Sequence, residues 1–263
     1  MVRQSTWAVE TVRIVTSLVV FVVVSACTQP VGDPGPGTDP GGDPPPVEST
    51  VAVDIDFDGA TDNVVAEEFS AAGAASEPAN GQLDADSWRI VGFSDGEIDF
   101  GQETTAGDGA RGASAGGVTT GGLYAFEVGA DDTAMGVQPT GTDFAPGEIV
   151  LRVSHGLSSL TAVEIDYALY VLNNEDRSTV WSVALSADLD NWVDLPTLGI
   201  TTNEAADADP VWTAFPLSVV VPEPGSFSGG DYLYLRWHAE DGAGSGGRDE
   251  SALDDISVAI RGY

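Results

Sequence analysis

From Val51 onward the dominant period of this sequence is two, and that period sets what the chain can fold into. Val51, Val53, Ile55 and Phe57 alternate with Asp54, Asp56 and Asp58. Successive side chains of a strand point to opposite faces, so this is a strand with one packed face and one wet face. The alternation returns in Val163-Ile165-Tyr167-Leu169-Val171, in Trp181-Val183-Leu185, in Leu233-Leu235-Trp237 and in Ile256-Val258-Ile260. Residues 87–93, 122–128, 134–138, 148–154 and 211–221 are further strand candidates. Turn formers separate them at Asp95-Gly96, 107–117, Pro146-Gly147, Asn173-Asn174, 222–225 and 242–247.

Only residues 60–75 have any helical character. Ten or more strands over about 210 residues, with no helices between them, predict an all-β, two-sheet antiparallel β-sandwich of jelly-roll type. No second linker interrupts 51–263, so one domain is expected there. No repeat of fixed period points to a propeller or solenoid.

The chain has 263 residues, with 42 acidic side chains against nine arginines, no lysine and a formal net charge of −33. That balance argues against nucleic acid as a partner, because little in it neutralises a run of phosphates. A single cysteine, Cys27, excludes an intramolecular disulfide framework, and two histidines leave little room for a multi-histidine metal site. Mutual repulsion among so many carboxylates destabilises a compact state in dilute salt. Two surroundings relieve it: saline medium, where the screening length falls to ~3 Å at 1 M, or calcium.

Arg3 and Arg13 precede residues 14–26, IVTSLVVFVVVSA, which carry no charge. A membrane span needs about 20 apolar residues, so this shorter run reads as the apolar core of a signal peptide, residues 1–26. The segment ends Val24-Ser25-Ala26-Cys27 and resembles the lipobox of bacterial lipoproteins. That resemblance implies cleavage before Cys27, lipidation of its thiol and a lipid bilayer as partner. Thr28 follows where an inner-membrane retention signal would show Asp, which favours the outer membrane or the cell surface. The alternative is an ordinary secretory signal that leaves Cys27 a stray thiol. Residues 28–50 hold seven of the fifteen prolines and five glycines without an aromatic ring. Residues 27–50 are therefore expected to form an unstructured tether, with a reach on the order of 70 Å at ~3.1 Å per residue.

The opening Ile55-Asp56-Phe57-Asp58-Gly59 and the ending Gly247-Arg248-Asp249-Glu250 with Leu253-Asp254-Asp255-Ile256 resemble secreted bacterial jelly-roll modules of the concanavalin A-like and MAM-like kind. The resemblance implies that first and last strands lie side by side. It also implies a carbohydrate-binding or adhesive role, with glucanases among the relatives.

Several carboxylates are candidates for chemistry. Asp54, Asp56, Asp58 and Gly59 match the first half of an EF-hand calcium loop, but its twelfth position is Val65. A strand accounts for the same residues. Calcium held between Asp58 and Asp62 is the remaining metal reading there. Asp254 shares parity with Ile256, Val258 and Ile260, so an unbroken strand points it at the core. A buried carboxylate needs a cation or several donors. A structural ion pair with Arg248 is one solution, calcium the other.

Glu164-Ile165-Asp166 resembles the catalytic strand of laminarinase-type glucanases. The second glutamate of that pattern would fall at Ala168 or Leu169. Without it there is no general acid, so an enzyme is not expected. Tyr232, Tyr234, Arg236 and His238 share one strand face, as do Glu164, Asp166 and Tyr170. Rings beside carboxylates suit a sugar, and neighbouring strands would join the two sets in one groove. A solvated outer face is the plainer reading. The sequence thus points to a surface-anchored lipoprotein with a noncatalytic module for a glycan or another cell-surface component. An altered laminarinase-type glycoside hydrolase and a structural envelope protein remain the alternatives.

Overall fold

The computed structural model describes residues 46–263, apart from residues 60, 62, 63, 225, 226, 228 and 229. The signal segment, Cys27, most of the tether and Asp62 therefore lie outside the described residues.

Fifteen strands, numbered in chain order, occur among the described residues. One sheet has seven: β13 (Trp212–Pro222), β9 (Leu160–Leu172), β15 (Glu250–Gly262), β7 (Asp132–Gln138), β6 (Gly122–Gly129) and β5 (Ala113–Ser114) in that order, with β1 (Ser49–Ile55) also paired to β15. The other has six: β11 (Val193–Asp194), β10 (Arg177–Ser186), β14 (Tyr232–Gly244), β8 (Gly147–Ser154) and β4 (Trp88–Val91), with β12 (Ile200–Thr201) on β10. A small parallel pair joins β2 (Ala74–Ala75) to β3 (Leu83–Asp84). Apart from that pair and β5 on β6, every pairing is antiparallel. The chain is a two-sheet antiparallel β-sandwich.

The period-two sets face each other across the interior. Val163, Ile165, Tyr167, Leu169 and Val171 of β9 share one buried cluster with Leu233, Leu235 and Trp237 of β14. Tyr167 and Trp237 meet edge-on with ring centroids 5.5 Å apart, a geometry worth about 0.5–1.5 kcal/mol beyond burial alone. The Tyr167 hydroxyl donates to the Leu198 carbonyl at 2.6 Å, which satisfies a polar group in the middle of the core. Burial pushes that phenol well above its usual pKa.

β1 and β15 are register partners from Ser49↔Gly262 to Ile55↔Ile256, so the first and last strands do lie side by side. β7 takes the same edge of β15 further along, from Ser251↔Val137 to Leu253↔Met135. β1 and β7 therefore meet end to end against one strand, and the junction falls at Asp254-Asp255.

The register on the opposite edge breaks there. Asp254 pairs with Ala168 and Ser257 with Asp166, so β15 carries one residue more than β9. Asp255 takes a left-handed conformation with φ 50°, the mark of a β-bulge. The bulge reverses the parity on which the expectation for Asp254 rested. Leu253 before it and Ile256 after it both pack in the main core. Asp254 instead shares the outward face with Ala252 and Glu250.

The one stretch with helical character, 60–75, holds no helix among its described residues. Glu67 and Ala71 have φ of 63° and 50°, and left-handed residues cannot continue a right-handed helix. The chain there makes bridges such as Val65↔Leu83 and ends in β2.

Candidate functional site

The outer face of the six-stranded sheet carries Tyr232, Tyr234, Arg236 and His238 in one row along β14. Across from them on β8 stand Ser154, Arg152, Val150 and Glu148 in that order. On β10 the facing residues are small: Ser186 beside Tyr234, Ala184 beside Arg236 and Ser182 beside His238. Ser186, Ala184 and Tyr234 are buried there, and Ser182 is the exposed one of the three β10 residues.

Two loops bring further rings onto this face. The Asp188 carboxylate accepts from the backbone N–H groups of Asn191 and Asp190 and from the Ser186 hydroxyl. Those bonds to its charged form lower its pKa to about 2. The turn they fix delivers Trp192, whose indole N–H donates to the Leu189 carbonyl at 2.9 Å. The Arg236 guanidinium then lies 4.2 Å from the centre of the Trp192 ring. From the opposite edge, the loop after β4 supplies Phe100, 5.9 Å from Tyr234. Arg152 sits between rings, its guanidinium carbon 4.5 Å from the Phe100 centroid and 4.8 Å from that of Tyr232.

The charges form a row across the strands. Arg236 bonds Glu148 at 3.1 Å, and Glu148 meets Arg89 at 3.5 Å. Arg89 reaches Asp99 at 3.4 Å. Val150 pairs in register with both Arg236 and Arg89 and is fully buried although it faces outward. Long arginine stems cover apolar surface in this way while their heads stay wet. Tyr232 is 37% exposed. The face thus combines rings, guanidinium groups and one bridging carboxylate on a rigid sheet.

Glu164, Asp166 and Tyr170 do not join this row. β9 lies in the seven-stranded sheet and β14 in the six-stranded one, so the two outward sets sit on opposite sides of the sandwich. A single groove containing both is corrected by the topology. Glu164 pairs with Arg261 at 2.8 Å. Tyr170 packs in a separate apolar cluster with Tyr124, Phe126, Ala252 and Trp212. Its phenol is pushed up to about 12 by burial and by the nearby carboxylates of Asp132, Asp254 and Asp255.

Asp254 and Arg248 do not pair either. Arg248, just before β15 begins, bonds Asp241 at 3.1 Å and donates to the Thr140 carbonyl. The bulge explains the mismatch, since it sends Asp254 to the other face. Asp254 is 3% exposed, and its Oδ1 has no hydrogen-bond partner. Burial, reinforced by the charges of Asp255, Asp132 and Asp56, raises its pKa to about 8.

Asp58, in the turn after β1, accepts from the backbone N–H of Thr133. Burial raises its pKa as well. It opens onto a cavity of about 560 Å³ lined also by Glu68, Glu127, Asp131 and Asp132. Among the described residues no three carboxylates or imidazoles stand where they could hold one metal ion. The calcium reading at Asp58 and Asp62 falls partly outside the described residues, because Asp62 does.

Arg248, Asp249 and Glu250, adjacent in sequence and all buried, each fasten a different loop. Asp249 accepts from the backbone of Asn174 and Glu175, and Glu250 from that of Gly117 and Val118. Burial lifts the pKa of Asp249 to about 6.

No family model matches the chain. No curated protein matches it either. Among solved structures it is similar to a CBM28 carbohydrate-binding module specific for non-crystalline cellulose, at 13% identity over 69% of this chain and 89% of that one, with a TM-score of 0.38. It is similar to the xylan-binding module CBM15 at 12% identity over 81% and 97%, TM-score 0.36. A cleaved adhesin domain of Lys-gingipain from Porphyromonas gingivalis is similar at 14% identity over 51% and 79%, TM-score 0.34.

Proposed function

We propose that this chain is an exported lipoprotein, anchored to a bilayer through Cys27, whose β-sandwich binds a cell-surface or environmental glycan without cleaving it. The observation that carries this reading is the row of Tyr232, Tyr234, Phe100 and Trp192 on one outward sheet face. Tyr232 is the ring most open to solvent there. A pyranose presents a flat apolar face and a rim of hydroxyls, which match ring surfaces beside guanidinium donors and the Glu148 acceptor.

The noncatalytic half of the proposal rests on the other face. Glu164 is engaged by Arg261. The carboxylate closest in register to Ala168, where a second acid would be needed, is Asp254. That group is sealed from solvent and cannot reach a leaving oxygen.

The test is a glycan array probed with the full chain and with a Tyr232→Ala variant. Selective binding that falls about tenfold or more in the variant supports the proposal; loss of one stacking ring is worth ~1 kcal/mol or more. Absence of binding to any glycan would leave a structural envelope role. Reducing-sugar release that a Glu164→Gln change abolishes would establish a hydrolase instead.

A further inference from the structure

Seven arginines lie in the described residues, and six of them hold a carboxylate oxygen within 3.5 Å. Arg177, Arg261, Arg236, Arg248 and Arg89 do so at 2.7, 2.8, 3.1, 3.1 and 3.4 Å, and Arg111 pairs closely with Asp108. Arg152 is the exception, for its nearest carboxylate oxygen, on Asp86, is 4.0 Å away. That oxygen already accepts from the Ser76 hydroxyl at 3.2 Å. In a chain with 42 acidic side chains, a partner for one more arginine is easily supplied. Here no carboxylate reaches hydrogen-bond distance of the fork, although Asp86 and Asp84 stand near it.

The surroundings of Arg152 hold it in place without using its donors. Phe100 and Tyr232 flank the guanidinium at 4.5 and 4.8 Å. Ring contacts orient a guanidinium and lower the cost of drying it, yet they engage its face and not its N–H edge. Its side chain is 20% exposed, so that edge is reachable from solvent. A planar fork of N–H donors fixed beside an exposed tyrosine matches a planar carboxylate on a sugar ring stacked against that tyrosine.

We propose that Arg152 binds the carboxylate of a uronic acid, so that the glycan taken by this face is acidic. This rests on the glycan-binding reading above. The net charge of −33 repels such a polymer at long range. At physiological salt the screening length is about 8 Å, so the short contact at Arg152 survives while the distant repulsion is damped.

The test measures binding of the full chain, at physiological salt, to polygalacturonate, alginate and glucuronoxylan. Each is compared with its carboxyl-reduced counterpart, and dextran sulfate serves as a sulfated control. The expected result is at least one uronate polymer bound tenfold or more tightly than its reduced form. Arg152→Lys, which keeps the charge but not the fork, abolishes that ratio without lowering the melting temperature. Equal binding of acidic and reduced polymers, lost in Tyr232→Ala, would overturn the uronate assignment and leave the glycan-binding function standing. So would a preference for the sulfated control, or a ratio that survives Arg152→Lys. Failure of every polymer to bind would overturn the uronate assignment, whereas the glycan-binding reading falls only if the array shows no binding either.

Discussion

Asp255, by taking the left-handed conformation, turns its neighbour Asp254 out of the main core and onto the outer face of the seven-stranded sheet. Leu253 and Ile256 keep their places in the interior on either side. A carboxylate is thereby buried beside Asp132 and Asp56 at the point where β1 ends and β7 begins.

That placement makes stability depend on pH. An aspartate in the unfolded chain titrates near 3.9, whereas Asp254 in the folded chain titrates at about 8. Between those values the folded state keeps a proton that the unfolded state has lost, so stability falls as pH rises and levels off above about 8. Asp249, raised to about 6, acts with the same sign over the lower part of the window. Asp254→Asn is expected to flatten the slope between about pH 5 and 8 and to raise the melting temperature at pH 8 by roughly 2–8 °C. An unchanged slope would show that Asp254 does not carry the pH dependence.

The core hydrogen bond from Tyr167 to Leu198 gives a second expectation. Tyr167→Phe keeps the edge-on contact with Trp237 but leaves a buried carbonyl without its donor. The cost is about 1–3 kcal/mol, which chemical denaturation of the full chain would read directly. A change below about 0.5 kcal/mol would mean that water takes over at that carbonyl.

The net charge predicts a third outcome. Raising NaCl from about 0.05 M to about 1 M is expected to raise the melting temperature steadily, because screening shortens the reach of carboxylate repulsion. Chelation at fixed ionic strength is expected to leave it unchanged, given that the described carboxylates do not converge on one ion. A fall on adding chelator would favour the calcium reading at Asp58 and Asp62.

Lipid anchoring is tested separately. Cells expressing the full chain are expected to incorporate labelled palmitate into it, and Cys27→Ala to abolish both the label and membrane association. Retention of the label in the variant would contradict the lipobox reading.

Alternation located five of the ten longer strands, and strand-forming runs between turn formers located the other five, among them β6 and β7, where burial is nearly continuous. The five two-residue strands β2, β3, β5, β11 and β12 carry too few residues to show a period. The bulge was illegible for a different reason. Leu253-Asp254-Asp255-Ile256 reads equally well as an unbroken strand, and only the pairing with both neighbours reveals the extra residue. It misled the expectations for Asp254 and Arg248 together. Half of the ring-bearing face was readable, since Tyr232, Tyr234, Arg236 and His238 keep strand parity. Glu148 and Arg152 could have been added by the same rule, as they alternate with Ile149, Leu151 and Val153 of β8. Phe100 and Trp192 could not, because loops deliver them and loops have no period. The separation of Glu164 from this face depends on which sheet each strand joins, a matter of long-range pairing that local pattern does not encode.

β15 is the spine of the larger sheet, flanked by β9 on one side and by β1 and β7 on the other. During synthesis or export, β1, β7 and β9 must each wait with an edge unsatisfied until this thirteen-residue strand emerges to knit them together. A nascent chain of this kind keeps those edges exposed to aggregation from the emergence of β1 to that of β15, and loss of β15 removes the keystone rather than the trim.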